Sequence, residues 1–264
     1  MWNRRNLAGA LVALTLACLP AFADVWDTAI DTDDNTGTDN TPIHGTIQVH
    51  DLGVRPGPVA DQDFYSFEAR GFASYEAVID GLTGDTGGSL SFNFLASDGT
   101  TVLATGTSLG SASCTLCTQT LRFENNQATP RPVFVRVGSP GCGTTCDSSD
   151  QYTIRFLETT YALPRYNNGG GQVTVLILHN VSELPVAGNV HLFNTVGTQV
   201  GVQAFTLAVN NHLVLNTSTI AGGAGTSGVI TVSHNGRYGS LAGKAVVLDP
   251  STGFSFDTPL IPKP

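Results

Sequence analysis

Short runs of alternating apolar and polar residues fill most of this chain, with the period of two that belongs to strands rather than helices. In the first half the pattern covers residues 45–49, 63–69, 74–79, 89–95, 101–105, 118–124, 132–137 and 151–157. In the second half it covers 188–194, 202–207, 212–216, 228–233, 244–248 and 253–256. Residues 172–178 differ, being apolar at Val173, Val175, Leu176, Ile177 and Leu178. Apolar residues on both faces predict a central strand. Gly, Pro, Asn and Ser separate the runs, as turns require. No later segment keeps a helical period over three turns. The expectation is an all-β chain of two β-sandwich domains, jelly-roll-like and then immunoglobulin-like. The second lacks the Cys–Trp–Cys core of antibody domains.

One apolar stretch does not alternate. Residues 7–19 follow Arg4 and Arg5 and precede Ala21-Phe22-Ala23, the order of a secretory signal peptide with an A-x-A cleavage site. The stretch is too short for a stable membrane anchor. Lipidation at Cys18 fits less well, because Thr15-Leu16-Ala17 departs from a Leu-led lipobox. The expected division is a signal peptide at 1–23, an acidic lead segment at 24–42, and sandwiches at 43–160 and 161–264, the latter with a short C-terminal tail. The lead segment should run extended outside any core, and residues 161–164, stiffened by Pro164, should link the domains. The expected destination is extracellular or periplasmic.

Charge narrows the partners. Twelve basic and 21 acidic residues give the 264-residue chain a net charge of −9. Cleavage after Ala23 removes Arg4 and Arg5 and no acid, leaving −11. Nucleic acid and anionic membrane surfaces need clustered Lys and Arg, so neither is an expected partner, and no membrane insertion is expected.

Asp61-Gln62-Asp63-Phe64-Tyr65-Ser66-Phe67 resembles the acidic-aromatic strand of bacterial pre-peptidase C-terminal (PPC) domains. Leu95-Ala96-Ser97-Asp98-Gly99, Val133-Phe134-Val135-Arg136-Val137 and Tyr152-Thr153-Ile154 fit the same pattern. The resemblance covers residues 43–158. It implies a non-catalytic β-sandwich of the kind that accompanies secreted enzymes, and relatives of that sandwich include calcium binders.

Asp31-x-Asp33-x-Asn35 sets oxygen side chains at alternate positions, as calcium loops do. The EF-hand pattern then breaks, with Thr36 at loop position six and Pro42 at position twelve. A structural Ca2+ on Asp31, Asp33, Asn35, Asp39, Asp61 and Asp63 is therefore expected only if Asp33, Asp34 or Asp39 folds back onto the strand of Asp61 and Asp63. No other cofactor is expected. Cys114, Cys117, Cys142 and Cys146 have a spacing open to zinc, but an oxidising compartment turns four cysteines into two disulfides. Two strand crossings separate the pairs, so local and crossed connectivities both remain open.

Gly106-Thr107-Ser108-Leu109-Gly110 matches a nucleophile-elbow pattern without the helix that should follow it. His44, His50, His179, His191, His212 and His234 show no tight metal spacing and read as scattered surface residues; His179, His191 and His212 could meet only through the fold. Tyr161, Tyr166 and Tyr238 are candidate contact aromatics, while Phe64, Phe67, Phe92, Phe94, Phe134 and Phe156 alternate as core. The expectation is a secreted, non-catalytic binding or adhesion protein for an extracellular glycan or protein. The alternatives are a homo-oligomeric surface-layer or fibre subunit, and a small serine hydrolase using Ser108.

Overall fold

The structure, a computed structural model, describes residues 33–53, 61–84, 90–109, 117–140 and 146–263. The signal segment, Trp26 and Asp31, Cys114 and Cys142, and Gly110 of the serine motif lie outside the described residues. Among the described residues there is no α-helix, and so none long and apolar enough to cross a membrane. Two β-sandwiches follow one another, each closed around its own apolar core.

The first is built from β1 (Ile47–Asp51), β2 (Gln62–Ala69), β3 (Ala73–Asp80), β4 (Ser91–Leu95), β5 (Val102–Thr105), β6 (Thr107–Ser108), β7 (Gln119–Asn125), β8 (Arg131–Gly138) and β9 (Gln151–Glu158). One sheet has the order β1-β9-β3-β7-β6 and the other β2-β8-β4-β5, every pair antiparallel. Alternation is clearest in β9, where Tyr152, Ile154 and Phe156 point inward and are buried. They meet Tyr65, Phe67, Tyr75, Phe92, Phe94 and Leu121 in an aromatic-rich core. Ring contacts such as Phe67–Phe156 at 4.5 Å add orientation to area burial.

The second comprises β10 (Tyr161–Asn167), β11 (Val173–Asn180), β12 (Val186–Asn194), β13 (Gln199–Leu207), β14 (His212–Asn216), β15 (Ser227–His234), β16 (Leu241–Asp249), β17 (Phe254–Pro259) and β18 (Ile261–Pro262), with one 3-10 turn at Thr217–Thr219. Its sheets are β13-β12-β15-β10-β18 and β14-β11-β16-β17. β11 is central: Leu176 and Leu178 are fully buried, whereas Val173, Val175 and Ile177 form the half-covered outer face.

Two expectations about the junctions are corrected. Residues 161–164 are not a linker, because β10 starts at Tyr161 and both Tyr161 and Leu163 are core. Pro164 falls where the β10–β15 register shifts, a position that tolerates a residue without an N–H. The chain instead passes between sandwiches at Thr159 and Thr160, both buried and bonded to Ser74. Nor does the acidic segment stay outside the fold once it reaches Asp33. The Asp33 carbonyl accepts from Phe64 N at 2.6 Å and that of Asn40 from Ser66 N at 2.9 Å. Residues 33–40 thus cover the open edge of β2, an edge that would otherwise expose unpaired backbone groups.

The outer face of β3 is buried as well. Ser74 and Glu76 alternate with core residues as surface positions would, yet both are buried. β15 and the loop at 235–240 of the second sandwich cover them.

Candidate metal centre and interdomain cleft

Asp63 continues the inward row of Tyr65, Phe67 and Ala69, which places a carboxylate at the end of the first core. His50 comes from β1 and Asp33 from the segment lying on β2. One potential ligand atom from each residue falls within 4.8 Å of the others, and all three residues are buried. His50 Nδ1 is 3.9 Å from Asp33 Oδ2.

The surroundings fix these groups. Gln48 Oε1 lies 3.1 Å from His50 Nε2, and the other ring nitrogen, Nδ1, is turned toward Asp33. Tyr152 stacks on the imidazole at 5.6 Å and Tyr65 meets it edge-on at 5.1 Å. The Tyr152 hydroxyl donates to Asp63 Oδ2 and lies 2.7 Å from the Tyr65 hydroxyl. Burial, and then the charge of Asp63, push the Tyr152 hydroxyl well above the usual tyrosine range, so it remains a donor.

Of the residues expected to bind calcium, the fold brings Asp33 to Asp63 and leaves others apart. Asn35 is exposed and its Oδ1 caps Gly37 N at 2.8 Å, while Asp39 is exposed. Asp61 is buried and accepts from Gln62 N, outside the three-residue group. His50 takes a place that spacing could not assign, since only the β1–β9 register sets its ring beside Tyr152. Cys117 and Cys146 are each disulfide-bonded.

The other candidates also find their places. Ser108 lies in the two-residue β6 and pairs with Gln119, a strand position; residues 110–116, where the helix of a nucleophile elbow would follow, lie outside the described residues. The expectation of surface histidines is corrected for His50, His191 and His234, which are buried among aromatic and polar neighbours. Burial pulls His191 and His234 down to about 4. His179 and His212 are direct cross-strand partners on β11 and β14, whereas His191 belongs to the other sheet. Tyr161 and Tyr166 are core, leaving Tyr238 as the exposed ring.

Tyr238 borders a cleft of about 540 Å3 between the sandwiches, with Leu109, Arg122, Glu183, Leu184 and Arg237 around it. Its floor is held from both sides. Arg122 Nη1 donates to Asn235 O at 2.7 Å, and Tyr238 N donates to Glu76 Oε2 at the same distance. Arg237 Nε approaches Glu76 Oε1 at 3.4 Å. Gly236 N donates to His234 Nδ1 at 3.0 Å and Ser240 N to Arg237 O at 2.9 Å. Guanidinium donors, a carboxylate, aliphatic walls and a tyrosine ring therefore stand on a braced loop.

No family model and no curated protein matches the chain. Among solved structures it is similar to a β-glucuronidase from glycoside hydrolase family 2, with 7% identity and a TM-score of 0.21. That match covers 86% of this chain and 26% of the other, so this chain spans about a quarter of that enzyme's length.

Proposed function

We propose that this chain is a secreted, non-catalytic binding protein that seats an extracellular glycan in the cleft between its two sandwiches. The observation that carries this reading is the pairing of exposed Tyr238 with Arg122, Arg237 and Glu183 around about 540 Å3 of open space. A volume of this size suits a small ligand. Sugars are held by an aromatic face against their C–H surfaces together with planar donors and acceptors for their hydroxyls. The anchoring of loop 235–240 to Glu76 and Arg122 supports a preorganised site, which spares the ligand the cost of ordering it. The signal-peptide pattern and the resemblance to PPC sandwiches support the extracellular address and the non-catalytic role.

The test is a glycan array with the full mature chain, followed by titration of any bound sugar against Tyr238→Ala. The variant removes the ring and keeps the backbone N–H that Glu76 accepts. Binding should weaken at least tenfold. A blank array at high protein concentration, or unchanged affinity in the variant, would overturn the reading.

A further inference from the structure

Away from the cleft, the buried group of Asp33, His50 and Asp63 has the chemistry of a metal centre of a particular kind. Calcium takes six to eight oxygens and has little use for imidazole. Imidazole nitrogen combined with carboxylates suits zinc and neighbouring transition ions. Here one nitrogen and two carboxylates converge, with one ligand atom from each residue within 4.8 Å of the others. A tetrahedral zinc ion needs its ligand atoms roughly 3.4 Å apart, from bond lengths near 2.1 Å. The 3.9 Å from His50 Nδ1 to Asp33 Oδ2 is a small side-chain rotation from that value.

The outer partners point the same way, being those that metal ligands use. Gln48 Oε1 stands 3.1 Å from the far nitrogen of His50, and the Tyr152 hydroxyl orients Asp63.

We propose that Asp33, His50 and Asp63 bind one divalent transition-metal ion, with zinc the best fit, and that this ion pins residues 33–40 onto the edge of β2. The ion joins three stretches of chain: the covering segment through Asp33, β1 through His50 and β2 through Asp63. Metal binding is then coupled to the ordering of that segment. The surface pair His179 and His212 offers two imidazoles across β11 and β14 and serves as the internal control.

The experiment strips the full mature chain with chelator, then adds Zn2+, Co2+ or Ca2+ separately. Thermal midpoint, metal content per chain and the visible spectrum of the Co2+ form are recorded. The expected result is one zinc per chain, a midpoint raised by several degrees, and cobalt bands of a four-coordinate site with nitrogen and oxygen ligands. His50→Gln should lower zinc affinity at least a hundredfold and abolish those bands, and His212→Asn should leave both intact. Should His50→Gln fail to fold, the wild-type cobalt spectrum and the His212→Asn titration still decide. Zinc lost in His212→Asn, a midpoint raised by calcium and not by zinc, or no response to any ion would each overturn the proposal.

Discussion

Tyr238 of the second sandwich donates its backbone N–H to the buried carboxylate of Glu76 in the first, at 2.7 Å. Glu76 also accepts from the Thr120 hydroxyl and from Arg237, so one side chain satisfies donors from both domains. Glu76→Ala leaves the Thr120 hydroxyl and the Tyr238 N–H without an acceptor in a buried place. The expected loss is about 2–4 kcal/mol, read from urea unfolding of the full chain. Small-angle scattering should also show the two sandwiches moving apart. An unchanged unfolding midpoint would mean that Glu76 does not join them.

Acid should loosen the same junction. Burial holds His234 and His191 down to about 4, against an unfolded value of about 6.5. The folded chain therefore binds fewer protons than the unfolded chain between those values. Their stabilisation is complete above about pH 6.5 and is lost as pH falls toward 4. Glu124, raised by burial despite its bond from Ser233, acts in the opposite sense and offsets part of that loss. Urea midpoints across this window should fall with acid, and less steeply in His234→Asn, whose amide oxygen can still accept from Gly236 N. Equal slopes for wild type and variant would remove His234 from the account.

Alternation predicted β9 because Tyr152, Ile154 and Phe156 face one core, and the period-two rule needs nothing beyond neighbours in sequence. The same rule misreads Ser74 and Glu76. Their polar positions look like solvated surface, and only the second domain, about 160 residues later, covers them. Pro164 suggested a linker, yet the β10–β15 bulge accommodates it without breaking the strand. At the metal centre the acidic pattern pointed to Asp33 and Asp63, but His50 owes its place to pairing with a strand about a hundred residues away. Residues that share a strand announce themselves locally; those that meet across sheets do not.

Gly188 should tolerate no side chain. A Cβ there would lie 2.1 Å from the Ser233 carbonyl and 2.8 Å from His234 Cα, both backbone atoms of the neighbouring β15. Gly188→Ala must push β12 away from β15 and should cost about 1–3 kcal/mol or more. Gly197, at φ +82° with open space around it, gives the contrast. Gly197→Ala should cost only about 1 kcal/mol, from its left-handed backbone. Denaturant midpoints that reversed this order would contradict the close approach of the two strands.

Phe72 holds a backbone φ of +55°, a conformation that costs a bulky residue about 1–2 kcal/mol. Its ring crosses the junction to lie 4.6 Å from His191 and 5.6 Å from Phe193. The interdomain contact offsets the strain of the turn that presents it. Phe72→Ala should therefore destabilise the chain, losing the ring while retaining most of the strain. Phe72→Gly loses the same ring but accepts the left-handed turn, so it should be about 1 kcal/mol more stable than the alanine variant. In both, water reaches His191 and its depressed pKa should rise toward the free value, which an NMR titration of the imidazole reads directly. A glycine variant less stable than alanine, or an unmoved His191, would show that Phe72 does not seal this junction.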